Sequence, residues 1–338
     1  PEIDWSNADR KVVCSTMVSY GTPAGPTGAW SGWNSGDSQP DNVVDADTDK
    51  RELHMRYYPL RGAYDNKDLE TLRFQMDMAD RMGIDAWAIW YWPPLDEASR
   101  IHHDNMKLYM DFVEQQKRDV KICGVIDVAF FPLMGEFTAD DVVQRVKDYL
   151  QAFADRPSYF RYQGHPVVYF FPPTETEFTI AEWDYVLKKV RSAGYAPICF
   201  VEIGFDWYDF LVLSIASHDL TPRGDDQFGA FVPDYEKWME IFDGVFNMSH
   251  IGFGHLEGIN RFNSWQGGMK AAHKKNCLFM PNPAAGYRTY PWVKPPDPVF
   301  EVPRRNGEHY NACWRDAIKT NARWIFLHTW NEWYEHTQ

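Results

Sequence analysis

The sequence predicts a single (β/α)8 barrel that spans residues 1–338. Eight short apolar runs recur along the chain, and stretches with helical spacing separate most of them. Parallel strands joined by helical crossovers produce this alternation. The length accommodates the roughly 250 residues of such a barrel together with insertions in its loops.

The predicted elements follow from apolar runs and from residues spaced three or four apart. The strands cover residues 12–20, 85–92, 120–127, 166–171, 196–203, 244–248, 277–281 and 324–330. The helices cover residues 69–82, 103–117, 138–154, 180–193, 261–275 and 309–321. Gly83 and Gly194 are predicted to end two helices, and Thr138 with Asp141 is placed like a capping box.

Two features of the chain depart from a plain barrel. The segments 21–56 and 282–307 exceed ordinary connection lengths, which is typical of functional loops. The final helix is missing because the sequence stops after the eighth strand. We interpret this as a truncated or partly ordered C-terminus, or as a helix supplied in another way.

The bulk composition argues against two kinds of partner. The formal net charge is −14, whereas nucleic-acid binding depends on Lys and Arg that neutralise phosphates. No stretch approaches the roughly 18 consecutive apolar residues of a membrane span. No signal peptide is recognisable from Pro1 onward, so it was cleaved, was left out of this sequence, or never existed. We expect a secreted or periplasmic protein whose signal peptide is not in this chain.

Cysteine usage predicts neither a zinc site nor a disulfide framework. The five cysteines are widely scattered and include no Cys-x-x-Cys pair. Several lie inside apolar runs, where cysteine behaves as a small buried hydrophobe. We therefore expect no metal site. Separately, we expect a monomeric chain that uses no cofactor.

Polar and aromatic side chains gather where the predicted strands end. Active sites of (β/α)8 barrels lie at the carboxyl ends of the strands. The residues placed there are Tyr20, Trp90 to Trp92, Asp127, Phe171, Glu202, Asn247, Asn282, and Asn331 to Glu335. Aromatic residues make up 16% of the chain, and such rings either stack on sugars in a cleft or fill an aromatic-rich core. The acidic and aromatic character of the strand ends favours an enzyme.

Two carboxylates, Glu332 and Glu335, lie three residues apart just after the eighth predicted strand. The rings of Trp333 and Tyr334 flank them, and partial desolvation favours the protonated form of a carboxyl group. One protonated and one ionised carboxyl group is the usual equipment for cleaving a glycosidic bond. The alternative is an exposed strand end with two solvated glutamates.

Five segments along the chain form a recognisable set. They are residues 18–23, residues 58–65 with 75–76 and 83–85, residues 90–94, residues 283–287 with 304–307 and Tyr310, and residues 329–338. The set resembles glycoside hydrolase family 99, the retaining endo-α-mannosidases and endo-α-mannanases. The last segment is the most specific, and it is similar to the family's pattern Phe/Trp-Asn-Glu-Trp-His-Glu-Gly-Thr-Gln.

The resemblance implies roles for individual residues. Glu332 matches the carboxylate that acts on the substrate 2-hydroxyl, and Glu335 matches the general acid/base at the glycosidic oxygen. The expected sugar contacts, from the resemblance and the strand ends together, are Tyr20, Trp90, Trp92, Asp127, Glu202, Asn282, Tyr287, Arg305, Asn331, Trp333 and Tyr334. A structural ion pair is the alternative for Glu202, and a solvated loop is the alternative for Arg305.

Several positions depart from the pattern of the family. Asp127 stands where the family has Glu, Tyr334 where it has His, and His336 where it has Gly. The segment 244–248 lacks an expected Tyr. These departures indicate a divergent branch.

The resemblance implies a retaining endo-acting hydrolase that cleaves α-mannosidic linkages in a polysaccharide or glycan through a 1,2-anhydro sugar. Glu332 would remove the 2-hydroxyl proton, and Glu335 would protonate the departing oxygen. Two other functions stay open. One is a related barrel hydrolase acting on another α-linked or sulfated polysaccharide, and the other is a non-catalytic carbohydrate-binding barrel.

Histidines outside these motifs receive a structural interpretation. His102 and His103 begin a predicted helix without a carboxylate at metal-ligand spacing, which is typical of a solvated helix start. His328 lies within the eighth predicted strand, where a core or barrel-lining residue is expected.

Overall fold

The computed structural model describes ten stretches of the chain, which include most of the predicted elements. They are residues 1–34, 38–55, 57–94, 100–128, 137–171, 178–202, 236–246, 261–288, 301–333 and 337. Glu335, Tyr334, His336 and Asn247 lie outside these stretches.

Within the described residues, eight parallel strands follow one another in chain order around a nearly closed barrel. They are β1 (Lys11–Thr16), β2 (Ala86–Tyr91), β3 (Lys121–Asp127), β4 (His165–Phe171), β5 (Ile198–Glu202), β6 (Gly244–Phe246), β7 (Leu278–Met280) and β8 (Trp324–Leu327). Strand β1 pairs with β2 on one side and with β8 on the other, which brings the two ends of the chain together. Between β7 and β8, the Phe326 backbone N–H donates to the Pro281 carbonyl at 3.1 Å. The predicted (β/α)8 fold is therefore confirmed.

Six helices of the described residues accompany the strands, and their ends follow the capping chemistry of the sequence. They are α1 (Leu69–Met82), α2 (Arg100–Gln115), α3 (Ala139–Phe153), α4 (Ile180–Val190), α5 (Arg261–Lys274) and α6 (Glu308–Lys319). Helix α3 begins with the predicted capping box of Thr138 and Asp141. Helix α1 ends at Gly83, whose φ of 70° lies in the left-handed region that glycine tolerates. A further helical stretch covers residues 236–241.

The first predicted strand was too long, because the apolar run continues beyond the ladder. Strand β1 ends at Thr16, yet Met17, Val18 and Tyr20 are still buried. Side-chain amides replace the ladder there, since Asn331 binds both the N–H and the carbonyl of Met17. The strand itself is therefore confirmed, but its predicted end at residue 20 was wrong.

Strand β8 ends at Leu327 rather than at residue 330, so its predicted end was also wrong. Helix α4 passes after Val190 into a π-helical turn, Arg191–Tyr195, in which Gly194 has a φ of 100° and leaves the helical conformation, as predicted. The long segment 21–56 contains a two-stranded antiparallel pair, Val43–Asp45 with Lys50–Arg51. A second such pair, Tyr287–Arg288 with Glu301–Val302, follows β7.

Aromatic side chains fill the barrel and cover its amino-terminal end. The Phe326 ring packs against those of Tyr169 and Phe246, with centroids 5.0 and 4.4 Å apart. Below them, Trp5 contacts Phe200 and Trp324, each at 5.7 Å between centroids. Many of the aromatic residues therefore serve the core, and the opposite, carboxyl-terminal end remains for chemistry.

The five cysteines are all buried free thiols. Among the described residues, no helix is both long enough and apolar enough to span a membrane.

Candidate active site

The turn after β8 bends the chain so that Glu332 lies beside His328. The Trp330 N–H donates to the Ser15 carbonyl at 2.8 Å, which continues the contact between β8 and β1 past the end of the strand. The Glu332 N–H then donates to the hydroxyl oxygen of Thr329 at 2.8 Å. This turn places two side chains four residues apart next to each other at the carboxyl end of the barrel.

Glu332 is 5% exposed, and the described residues bind its carboxylate through one oxygen. Its Oε2 lies 2.9 Å from Nε2 of His328 and accepts a hydrogen bond from Thr337 Oγ1 at 3.3 Å. The hydroxyl oxygens of Thr337 and Thr329 lie 2.9 Å apart, so both threonines support the same group. A buried carboxylate requires such partners, because desolvation of an unpaired charge is costly.

Residues from three parts of the barrel hold His328. Its backbone N–H donates to Asn282 Oδ1 at 2.9 Å, just beyond β7. Its Nδ1 lies 3.2 Å from Ser15 Oγ of β1, and its ring makes a T-shaped contact with that of Trp90 of β2, with centroids 6.0 Å apart. His328 therefore lines the barrel, as the sequence predicted, but it also contacts the candidate catalytic carboxylate.

Asn331 uses the full hydrogen-bonding capacity of its amide on the protein. Its Oδ1 accepts from the Thr16 hydroxyl at 3.1 Å and from the Met17 N–H at 2.7 Å. Its Nδ2 donates to the Met17 carbonyl at 2.8 Å and to the Tyr64 hydroxyl at 3.2 Å. Asn331 is fully buried and locks the turn after β8 to the segment after β1.

Tyrosines from the loop after β1 hold Trp333. The Trp333 backbone N–H donates to the Tyr20 hydroxyl at 3.1 Å, and its indole N–H donates to the Tyr64 hydroxyl at 2.8 Å. Burial raises the pKa of Tyr64 well above its usual value, and the hydrogen bond from Trp333 only partly opposes this shift. Tyr64 is therefore a neutral phenol that accepts hydrogen bonds at neutral pH.

A second group lies at the ends of β2 and β3. The Trp92 indole N–H donates to Asp127 Oδ2 at 3.0 Å, and Asp127 is 2% exposed. The Trp92 ring lies against that of His102, with centroids 4.3 Å apart. His102 is buried, so its interpretation as part of a solvated helix start was wrong. His102 is buried because it contacts strand β2, where its Nδ1 lies 2.7 Å from the Trp90 carbonyl oxygen.

The remaining predicted site residues are more widely spread. Glu202 is buried at the end of β5. Tyr287 lies in the short antiparallel pair after β7, opposite Val302. Arg305 is exposed in the turn before α6. The structure thus brings Tyr20, Trp90, Asn282, Asn331, Glu332 and Trp333 into one connected cluster and places Trp92 and Asp127 beside each other.

Sequence reasoning missed the supporting polar residues of this cluster. Ser15, Tyr64 and Thr329 received no role, although each contacts the turn that carries Glu332. The available signal was a polar residue at the end of an apolar run, as with Ser15 and His328. That signal does not reveal the partner, because the partners come from strands far apart in sequence.

A parallel barrel with a buried, hydrogen-bonded carboxylate at the carboxyl ends of its strands has the architecture of many glycoside hydrolases. No family model matches the chain. It is 23% identical over 301 residues, or 85% of its length, to the mouse glycoprotein endo-alpha-1,2-mannosidase, and covers 57% of that protein. It is 23% identical over 294 residues to the zebrafish (Danio rerio) glycoprotein endo-alpha-1,2-mannosidase-like protein, covering 85% of this chain and 59% of the relative.

A solved structure agrees with these matches. The GH99 endo-alpha-mannosidase from Bacteroides thetaiotaomicron superposes with a TM-score of 0.70 at 20% identity, over 98% of this chain and 88% of the other. At this identity the superposition establishes the fold. The chain spans less than two thirds of the length of the curated relatives it matches. The matches confirm, at low identity, the resemblance to glycoside hydrolase family 99.

Proposed function

We propose that the chain is a retaining, endo-acting glycoside hydrolase that cleaves α-mannosidic linkages in a polysaccharide or glycan. Residues 1–338 would form a single catalytic barrel that needs no cofactor. The observation that carries the proposal is the Glu332 carboxylate, which is buried at the carboxyl end of the barrel and fixed through Oε2 alone among the described residues. The relatives named as endo-alpha-1,2-mannosidases support the choice of an α-mannoside.

The proposed reaction uses the 2-hydroxyl of the substrate as the nucleophile. In an α-mannoside this hydroxyl and the leaving group are axial and anti to each other. Glu332 removes the 2-hydroxyl proton as O2 forms a bond to C1, and the bond from C1 to the glycosidic oxygen breaks as Glu335 donates a proton to that oxygen. The product of this step is a 1,2-anhydro sugar.

The second half of the reaction opens that sugar. Water gives a proton to Glu335 as its oxygen attacks C1, and the C1–O2 bond breaks as Glu332 returns the proton to O2. Two inversions at C1 give net retention. This route differs from that of most retaining enzymes, in which a carboxylate attacks C1 directly.

The predicted sugar contacts divide into two groups. Tyr20, Asn282 and Asn331 direct polar atoms to protein groups, so we propose that they act by holding the motif. The proposed sugar contacts are Trp90, Trp92, Asp127, Glu202, Tyr287, Arg305, Trp333 and Tyr334. Of these, Trp92 and Trp333 would offer their ring faces, because their indole N–H groups bind Asp127 and Tyr64. Acidic and aromatic contacts of this kind suit a neutral glycan.

The test compares two variants on two substrates, an α-mannan and an aryl α-mannoside with an activated leaving group. Glu335→Gln should abolish turnover of the mannan but spare the activated substrate, because a good leaving group departs without a proton. Glu332→Gln should abolish both, because each requires the 2-hydroxyl to be deprotonated. Glu308→Gln, on the exposed start of α6, is the matched control and should keep wild-type rates. Equal losses in both catalytic variants on both substrates would contradict the division of roles.

Two further assays test the rest of the proposal. NMR of the first-formed product should show the α-anomer, and a β-anomer would contradict retention. A panel of α-mannans, other α-linked glycans and sulfated polysaccharides should identify mannan as the substrate hydrolysed. Hydrolysis of a sulfated glycan alone would favour the related hydrolase, and binding without turnover would favour a carbohydrate-binding barrel. We also propose a monomer with a secreted or periplasmic location, which suits an enzyme acting on polysaccharide.

A further inference from the structure

The two oxygens of the Glu332 carboxylate have different surroundings. Each hydrogen bond that the described residues make to this carboxylate goes to Oε2, from His328 and from Thr337. Oε1 accepts no hydrogen bond from the described residues. Among the described residues, the carboxylate is therefore oriented through Oε2.

The neighbours of His328 limit which ring nitrogen carries a proton. Ser15 Oγ lies 3.3 Å from the Leu327 carbonyl, which only accepts, and 3.2 Å from His328 Nδ1. Ser15 can therefore accept from Nδ1 while it donates to the carbonyl, or it can donate to Nδ1. The proposed role of Glu332 as a base requires an ionised carboxylate, which only accepts, so that role requires a proton on Nε2 in either arrangement.

The imidazole cannot follow Glu332 if the carboxylate swings away. Asn282 holds the His328 backbone from just beyond β7, Ser15 contacts Nδ1 from β1, and the Trp90 ring packs against the imidazole from β2. These contacts with the barrel strands therefore hold the Nε2–H donor of His328 in place. A carboxylate bound to a fixed donor is pre-organised, and pre-organisation of a reacting group lowers the activation barrier.

We propose that His328 is a positioning residue, whose Nε2–H fixes Oε2 of Glu332 so that Oε1 is the oxygen that takes the substrate proton. This inference rests on the proposed function, because it assigns an orientation to the base of that reaction. His328 itself exchanges no proton with the substrate. It acts only through the carboxylate.

Two amide variants distinguish the hydrogen bond from His328 Nε2 to Glu332 from the packing of the His328 side chain. The side-chain amide of His328→Gln reaches the position of Nε2, whereas that of His328→Asn reaches only the position of Nδ1, towards Ser15. His328→Asn should lower kcat about 10- to 100-fold on both the activated and the natural substrate, the usual effect of losing an orienting hydrogen bond, and should leave KM within about threefold. His328→Gln should recover most of the rate.

Three results would contradict this role of His328. Wild-type kcat in His328→Asn, or a loss confined to KM, would overturn the proposal, as would equal losses in the Asn and Gln variants. His165→Gln is the matched control, because this partly buried histidine lies at the amino end of β4, where its Nδ1 is 3.0 Å from the Ala196 carbonyl. It should keep wild-type kcat.

A second measurement does not depend on activity. In protein with 15N-labelled histidine, NMR should show one hydrogen-bonded Nε2–H resonance that is absent from His328→Gln and His328→Asn. Glu332→Gln should move this proton upfield, because a neutral acceptor forms a weaker hydrogen bond than a carboxylate. A resonance that does not move in Glu332→Gln overturns the pairing. If the wild-type protein hydrolyses no α-mannoside, the proposed function fails while the resonance still decides the pairing.

Discussion

The indole N–H of Trp333 donates to the phenolic oxygen of Tyr64 at 2.8 Å. Tyr64 lies in the loop after β1, and Trp333 lies in the turn after β8, so this bond joins the first and last strand ends of a barrel in which the two strands are neighbours. The same oxygen accepts from Asn331 Nδ2 at 3.2 Å. One buried hydroxyl therefore supports both residues that flank Glu332.

Replacing Tyr64 with Phe should destabilise the protein. The Trp333 indole N–H would lose its partner and the Asn331 amide one of its acceptors, and an unsatisfied buried donor costs about 1–3 kcal/mol. The free energy of unfolding, measured in urea, should fall by this amount. Tyr185→Phe is the control, because it removes an exposed hydroxyl that contacts Asp140, and it should remain close to wild type. Equal stability of the two variants would contradict the supporting role of the Tyr64 hydroxyl.

Asn331→Asp should be more damaging than its small change in shape suggests. The new carboxylate would lose both donated hydrogen bonds and would face the Met17 carbonyl at a fully buried position. An uncompensated buried charge costs about 3–5 kcal/mol, which should appear as a reduced urea midpoint at pH 7. Asn321→Asp, exposed and beside Arg10, provides the matched control and should fold normally. A wild-type midpoint in Asn331→Asp would show that the amide does not hold the turn.

The strands could be predicted because apolar runs record burial, and each of the eight was confirmed. Their ends could not be predicted from the same signal. Residues after β1 stay buried without a partner strand, because Asn66, Asn105 and Asn331 bind the backbone groups that a ladder would have bound. A single side-chain amide that binds these backbone groups produces no alternating sequence pattern that could predict it.

The candidate site was predictable at its centre and not in its surroundings. Glu332 stood out because its neighbours form a specific motif. His328 did not, because a spacing of four residues brings two side chains together in a helix but not in a strand. Only the turn after Leu327 makes the contact, and the hydrogen bond that the His328 N–H donates to Asn282, just beyond β7, helps to hold it.

Glu114 should make the protein sensitive to acid. Hydrogen bonds from Arg156, supported by Ser158, lower the pKa of this carboxyl group to about 2 from its ordinary value of 4.5. Its stabilising contribution is therefore complete above about pH 4.5 and is lost as the pH falls towards 2. Glu114→Gln should lower the free energy of unfolding by about 1 kcal/mol at pH 7, allowing for solvent screening, and by less near pH 2.

The control for this prediction is Glu70→Gln, which removes an exposed ion pair with Arg73 on α1. Its effect should be negligible at pH 7, because exposed pairs contribute little. Urea unfolding at several pH values would give both curves. A deficit in Glu114→Gln that is the same at pH 7 and at pH 2 would contradict the assigned cause.

His102 should give the protein a second pH dependence, at milder acidity. Burial lowers the pKa of its imidazole from 6.5 to about 4, and the contact with the Trp90 carbonyl only partly opposes the shift. The unfolded chain therefore binds a proton between these values that the folded protein does not. Stability should fall as the pH drops from about 6.5 to about 4, with a slope of up to about 1.4 kcal/mol per pH unit.

His102→Asn should remove this slope, because its amide can still donate to the Trp90 carbonyl but binds no proton in this range. Urea unfolding between pH 7 and pH 4 measures the effect as the difference between the two stability curves. His273→Asn, exposed on α5, should follow the wild-type curve. Parallel curves for wild type and His102→Asn would show that the ring is protonated alike in the folded and unfolded states.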